Sequence, residues 1–474
     1  MAGESTRGWT CVRWAAGTVF AAMVTIASLL AIPGRSTADD RKSNELTFAD
    51  STGVLRTITT SDSFDEQNPF FQAIGTNGRS CATCHQASQA WTVTPGGIQA
   101  RFDATRGLDP IFRNNDGSNC EGADLSTLAK RRRAFSQLLN KGLLRVGLDV
   151  PAGAEFEIVD VDDPYNCGAP FTGASLYRRP LPATNLGFLS AVMWDGRETV
   201  KGQSLAADLR TQAIDATTGH AQGARPSDDI VQQIVDFEMH LFTAQTQDRG
   251  AGSLKAQGAQ GGPRALSAQP FCVGVNDPLG ILPAMPGACA TVSTGLDTNV
   301  FTLFAGWNTA KDSERRAIAR GEQIFNSRTF IIDGVAGLNG GAGDPVTGPI
   351  ANGTCTVCHN TPNAGDHSVA MPLNVGVADA VHRTANLPLY TLQNTTTHAI
   401  VQTTDPGRAM ITGKWSDIGK FKGPILRALA ARAPYFHNGS ADTLADVVDF
   451  YDTRFNIGLT TREKADLIAF LRAL

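Results

Sequence analysis

The sequence predicts a mainly α fold in two small helical domains joined by long loops. Three observations carry this. Two short Cys/His motifs lie far apart, at 81–85 and 355–359, and each can seed a domain. Apolar residues recur at helical spacing, while strand patterns are weak. Gly (48) and Pro (23) are abundant across the 474 residues, which favours long connections.

The chain starts with Arg7 and Arg13, an apolar run from Trp14 to Ile32, and the small residues Ser36-Thr37-Ala38. This reads as a secretory signal peptide over residues 1–38, with an uncleaved N-terminal membrane anchor as the alternative. No later segment is apolar enough to span a bilayer. Export places the mature chain in the periplasm. Removing 1–38 takes away Arg7, Arg13 and Arg35 against Glu4, a net +2, so the formal charge falls from −4 to −6. That mild acidity, without a basic tract, argues against nucleic acid as a partner. The run Lys130–Arg133 reads as the wet face of a helix.

Residues 39–245 form the expected first domain, and 40–75 read as a lead-in that wraps it. "SCATCH" supplies Cys81, Cys84 and His85. Two Cys three apart on a helical turn face the same way, and the His that follows can reach an iron. This is the attachment pattern of a c-type haem. "CTVCH" repeats it at Cys355, Cys358 and His359. A zinc half-site would want paired motifs close together, and a redox dithiol would not need the His. Two covalently bound haem c groups are therefore expected, with His85 and His359 as iron ligands, in two cytochrome c-like haem domains. Flat haems would supply much of each core. Leu125, Leu128, Phe135, Leu138 and Leu139 share a helical face, as do Ile230, Ile234 and Leu241.

The stretch 246–300, rich in Gly, Ala, Gln and Pro, reads as a connector. Of nine Cys, Cys11 goes with the signal and four with haem. Cys120, Cys167, Cys272 and Cys289 remain, an even number that suggests two disulfides in an exported protein. Sequence neighbours suggest Cys120–Cys167 and Cys272–Cys289, but four Cys allow three pairings, and four free buried thiols are the alternative. Residues 301–474 form the second domain. "KDSERRAIARGEQIF" (311–325) opens acidic and continues as an amphipathic helix. "TREKADLIAFLRAL" places Leu467, Ile468, Leu471 and Leu474 on one side of a final helix.

"AVMWDGRE" (191–198), "ARGEQIF" (319–325) and "DIGKFKGPILRALAARAPYFHNGSADTLADVVDFY" (417–451), with the two CxxCH motifs, resemble the bacterial dihaem cytochrome c peroxidase and MauG family. The resemblance implies that haem 1 reacts with hydrogen peroxide and haem 2 supplies or stores electrons. The donor would be a small periplasmic cytochrome or copper protein. A MauG-type enzyme would instead oxidise a protein substrate. The resemblance makes Trp194 the residue between the haems, and a homodimer would be common for the family. Asp195 and Arg197 read as a fold-stabilising pair.

The eight His are at 85, 220, 240, 359, 367, 382, 398 and 437, so none lies between 86 and 219. Family members that rest blocked place a removable His from that region on haem 1. Here haem 1 is expected open, with a Met or Lys ligand as the alternative. Splitting peroxide needs a group that moves a proton. Related enzymes use a Gln and a Glu after WDGR. Gln212 matches the Gln, while His220 or Gln222 stands at the Glu slot. Imidazole titrates near neutrality, so His220 is the expected acid–base group. His240 reads as structural, and His437 as a haem-propionate or water partner. For haem 2, Tyr451 stands where the peroxidases carry a ligating Met and MauG a Tyr; Met410 is the rival ligand and Met371 a weaker one. The family often binds one calcium ion between its domains. Asn185 and the carbonyls of Arg432 and Pro434 match that site imperfectly. A dihaem electron-transfer cytochrome and an oxygen-dependent dihaem oxygenase, similar to rubber oxygenases, are the competing functions.

Overall fold

Leu46 and Phe48 alternate with polar residues, and Val54 to Ile58 follow a turn. In the computed structural model these residues pair as an antiparallel hairpin, Glu45–Ala49 with Gly53–Thr59. Asp50 makes the turn, its Oδ1 accepting the N–H groups of Thr52 and Gly53 at 2.7 and 2.8 Å. The structure describes residues 43–168, 171–271, 297–341 and 343–474. The signal residues and the Cys272–Cys289 pair lie outside them.

The expected mainly α fold is corrected. Of the described residues 32% are helical and 17% strand, in several sheets. The lead-in hairpin is half of a four-stranded sheet completed by Leu241–Asp248 and Gly252–Ser253, so the supposed connector begins inside a sheet. Phe156–Asp162, Leu389–Asn394 and Ile400–Thr403 make a three-stranded sheet, with Leu389–Asn394 central. Leu144–Asp149 pairs with Gly173–Arg178, and Phe330–Ile332 with Ile350–Gly353. These strands escape a helical reading because they are short and their partners are remote. In "FEIVDVD" only Phe156 and Ile158 are buried, so the alternation lasts two steps.

The helical expectations fare better in the second half. The stretch at 311–325 is the helix Ser313–Ser327, capped by Asp312, whose side chain accepts the N–H of Arg315. It lies against the final helix Thr461–Ala473, where Leu467, Leu471 and Leu474 are buried. The two backbones come close at Gly321, where a Cβ would sit 2.0 Å from the Asp466 carbonyl oxygen. Arg320 clamps Asp466 with two bonds of 2.7 Å. In the first half the face from Leu125 to Leu139 is not one helix. Phe135 (φ −100°, ψ 19°) breaks it into Leu128–Ala134 and Ser136–Lys141, and Leu128 is exposed. Ile230 and Ile234 share the helix Asp228–Met239, but Leu241 begins the following strand. Cys120 and Cys167 form a disulfide. Among the described residues no helix is long and apolar enough to cross a membrane.

Candidate functional site

Each CxxCH motif is a single tight turn. Cys81–Thr83 is a 3-10 turn in which the N–H groups of Cys84 and His85 both donate to the Cys81 carbonyl at 3.1 Å. The Ser80 N–H bonds Thr83 Oγ1 at 2.9 Å and fixes its start. Cys355–Val357 repeats the turn, with His359 N–H on the Cys355 carbonyl at 3.0 Å. Each His is oriented from behind. His85 Nδ1 lies 2.9 Å from the Trp91 carbonyl, and His359 Nδ1 lies 2.6 Å from that of Gly365. A carbonyl only accepts, so Nδ1 carries the proton and Nε2 presents its lone pair, as an iron ligand must.

The first motif opens into an apolar-walled cavity of about 180 Å³ that Trp194, Gln212, His220 and Glu238 also line. Several arginines line it as well, among them Arg179, Arg427 and Arg432. Arg427, 1% exposed, leaves Nε and Nη2 without partners, and Arg432 leaves Nε. Burial pushes Arg179 and Arg427 down to about 9. Unpaired buried guanidinium groups call for anions, and the two carboxylates of a haem would meet that need. Burial pushes the Cys84 thiol up to about 11 and the Cys355 and Cys358 thiols up to about 12. Among the described residues no cluster of three His, Cys, Asp or Glu could hold a metal ion. The residues fit covalent haem.

His220 ends the helical segment that starts at Leu205 and closes in a π-turn at Ala216–His220. Its Nδ1 lies 2.6 Å from Asp116 Oδ2. Gln212 sits on the same helix, in the same cavity wall. Met193 and Lys422 also line that cavity, and they are the residue types of the alternative haem 1 ligand. Sequence reasoning missed Asp116, Lys422 and Glu238. Burial pushes the Glu238 carboxyl up to about 8, and its Oε2 has no partner among the described residues. His240 is exposed, its Nδ1 2.6 Å from the Asp236 carbonyl, and it lines neither cavity.

The second motif opens into a cavity of about 210 Å³, also lined by Tyr451 and His437. Tyr451 projects from the helix Leu444–Phe455, and burial pushes its phenol above the ordinary value. Met410 is elsewhere, 3% exposed in a cluster with Phe156, Leu176 and Leu392. Met371 packs beside Ile332 and Val357 and does not line the cavity. His437 stacks on Phe421 with ring centres 3.8 Å apart, and burial pushes it down to about 4. Trp194, Lys422 and Pro424 line both cavities. Trp194 is fixed there: its Nε1–H donates to the Arg179 carbonyl at 2.8 Å, and its own carbonyl accepts the Lys422 N–H at 2.9 Å.

Asp195 bonds Arg197, and it also meets Arg178 Nη1 at 2.5 Å; Arg178 in turn holds Asp405 at 2.7 and 2.9 Å. Two of the three expected calcium donors are already engaged. Both amide atoms of Asn185 bond the Thr243 backbone at 2.9 Å, and the Arg432 carbonyl accepts from Arg179. Pro434 lines a separate surface pocket. A calcium ion wants six to eight oxygens, and this arrangement does not fit one.

No family model matches the chain. It is 36% identical over 132 residues to "Cytochrome-c peroxidase IdrP2" of Denitromonas iodatirespirans, covering 26% of this chain and 36% of that protein. It is 33% identical over 164 residues to "Cytochrome-c peroxidase IdrP1" of Pseudomonas sp. (strain SCT), covering 30% of this chain and 38% of that protein. The chain thus matches a little over a third of the length of these curated relatives. A solved structure of a MauG-like protein associated with microbial copper homeostasis aligns over 88% of this chain and 91% of its own, at 16% identity and a TM-score of 0.38. By these sequence matches the chain is a relative of the cytochrome-c peroxidases. These matches support the resemblance of its motifs to the dihaem cytochrome c peroxidase and MauG family.

Proposed function

We propose that this chain is an exported dihaem c-type oxidoreductase that reduces hydrogen peroxide in its first cavity and passes electrons through its second. Electrons come from a small periplasmic protein or, in MauG fashion, from a protein substrate. Cys81 and Cys84 hold one haem and Cys355 and Cys358 the other, with His85 and His359 on the irons. A bound haem in the first cavity supplies an iron with a position free for peroxide.

The observation that carries the reading is the asymmetry of the two cavities. Both have the same His-presenting turn. The first adds His220 and Gln212, groups that can move and orient a proton; the second adds Tyr451. His220 Nε2 takes a proton from one peroxide oxygen and returns it to the leaving oxygen. Gln212 offers its amide to orient the peroxide. Trp194, in the wall of both cavities, is the path for electrons. Tyr451, in the wall of the second cavity, would offer a haem bound there its phenol oxygen, a donor that favours the oxidised state. Low-temperature EPR of the resting ferric protein should show one high-spin and one low-spin haem. Two low-spin haems inert to peroxide would refute the proposal and favour an electron carrier.

A further inference from the structure

Resting on the role just proposed for His220, we propose that Asp116 is a positioning residue that holds the His220 ring with its proton on Nδ1 and its Nε2 lone pair free for the first proton of peroxide. Asp116 is 4% exposed in the loop that follows the helix Pro95–Thr105. Its two carboxylate oxygens are divided. Oδ2 lies 2.6 Å from His220 Nδ1, and Oδ1 lies 2.5 Å from Arg79 Nη1.

Arg79 stands two residues before Cys81 and is itself 2% exposed. Its guanidinium also donates to the carbonyls of Pro110 and Ile111 at 2.8 Å and of His220 at 3.0 Å. The His220 carbonyl further accepts from Asn77 Nδ2 at 2.8 Å and Asn115 Nδ2 at 3.2 Å. His220 is therefore fixed at backbone and ring by groups anchored to the haem motif. Preorganisation of this kind lowers the cost of reaching the reactive geometry.

The tautomer follows from donor chemistry. Burial pushes the Asp116 carboxyl up, but the His220 bond and the Arg79 charge outweigh it and hold it below the ordinary carboxylate range. An ionised carboxylate only accepts, so a neutral His220 must donate from Nδ1. In Asp116→Asn the order inverts. Arg79 only donates and claims the amide oxygen, which turns the amide N–H toward Nδ1. The ring must then accept there and carry its proton on Nε2.

The test is the infrared stretch of carbon monoxide bound to the reduced holoprotein at alkaline pH, where a free imidazole is neutral. A lone pair facing the bound gas and an N–H facing it shift the stretch in opposite directions. Asp116→Asn is expected to lower the frequency, and His220→Ala to remove the sensitivity to position 116. If His220→Ala shifts the stretch while Asp116→Asn leaves it parental, the positioning role is overturned and the proposed role of His220 stands. If carbon monoxide does not bind, or His220→Ala changes nothing, the reading of the first cavity falls and this inference with it. A second measurement needs no variant. Carbon monoxide makes the reduced first iron diamagnetic, and ¹⁵N-histidine NMR should show the nearby His220 protonated on Nδ1; a proton on Nε2 overturns the proposal.

Discussion

Replacing Arg178 by Met should cost this protein about 3–5 kcal/mol, far more than a surface ion pair is worth. Arg178 is 3% exposed, Asp195 0% and Asp405 3%, so none of the three is well solvated. The guanidinium makes bonds of 2.5, 2.7 and 2.9 Å to the two carboxylates. Removing it leaves Asp195 with only Arg197, and Asp405 with the Gly407 N–H at 2.8 Å and a weak contact from His437 at 3.8 Å. The penalty is the cost of stranded buried charge. It should shrink when Asp195→Asn and Asp405→Asn are added. Its pH dependence has a definite sign. Burial pushes the Asp195 carboxyl up, but Arg178 and Arg197 outweigh it and hold it below its ordinary value. A depressed acid adds stability above its unfolded pKa of about 3.9 and loses it as pH falls through the folded value. The deficit of the variant should therefore be full at neutral pH and shrink on strong acidification. Urea unfolding of the holoprotein, followed by circular dichroism at several pH values, measures both. A loss below about 1 kcal/mol at neutral pH would refute the reasoning, since that is the scale of an exposed pair.

Four further outcomes are expected. Trp194→Phe keeps haem content but slows electron sharing between the haems; rapid-mixing spectra identical to the parent would make Trp194 a packing residue only. Tyr451→Phe alters the spectrum and potential of haem 2, whereas Met410→Leu, a volume-conserving change in a distant cluster, leaves both intact and costs under about 1.5 kcal/mol; the reverse pattern would make Met410 the ligand. Replacing Cys120 and Cys167 by Ser opens a loop with sequence separation 47 and should cost about 4 kcal/mol by chain entropy, read by urea unfolding; no change in midpoint would contradict it. Burial pushes Glu322 up from 4.5 to about 7, so the folded state binds more protons in that window and stability falls as pH rises through it. Glu322→Gln should flatten that fall, by up to about 3 kcal/mol at pH 8; a pH profile parallel to the parent would show that Glu322 is not responsible.

What the sequence disclosed follows the range of the interactions involved. The CxxCH turns were legible because attachment chemistry fixes their spacing within five residues. The helix at Ser313–Ser327 was legible because its cap and apolar face are both local. The three-stranded sheet was not, because Phe156–Asp162 looks acidic until Leu389–Asn394 is placed beside it. His220 stood out as a departure at a known slot. Its partner Asp116, 104 positions away, carried no signal. Glu238 gave none either, since one carboxylate near a helix end is ordinary until its burial is known. Asp195 was expected to pair with Arg197, and it does, but Arg178 and Asp405 could be joined to it only in three dimensions.

The sheet that joins Phe156–Asp162 to Leu389–Asn394 also bears on how the chain matures. A strand made early must wait, its hydrogen-bonding edge open, until most of the remaining chain has been delivered. Such long-range closure is slow, and an open edge is adhesive. The first CxxCH turn needs no such delay, because its bonds are formed within a few residues. Haem could thus be fastened to the first turn well before the surrounding walls close. A fragment cut between the two motifs would carry the thiols and His85, yet would lack Lys422, Arg427 and Arg432 from the wall of that same cavity. Expression of the halves separately should give a fragment that acquires haem but holds it in an unfinished pocket.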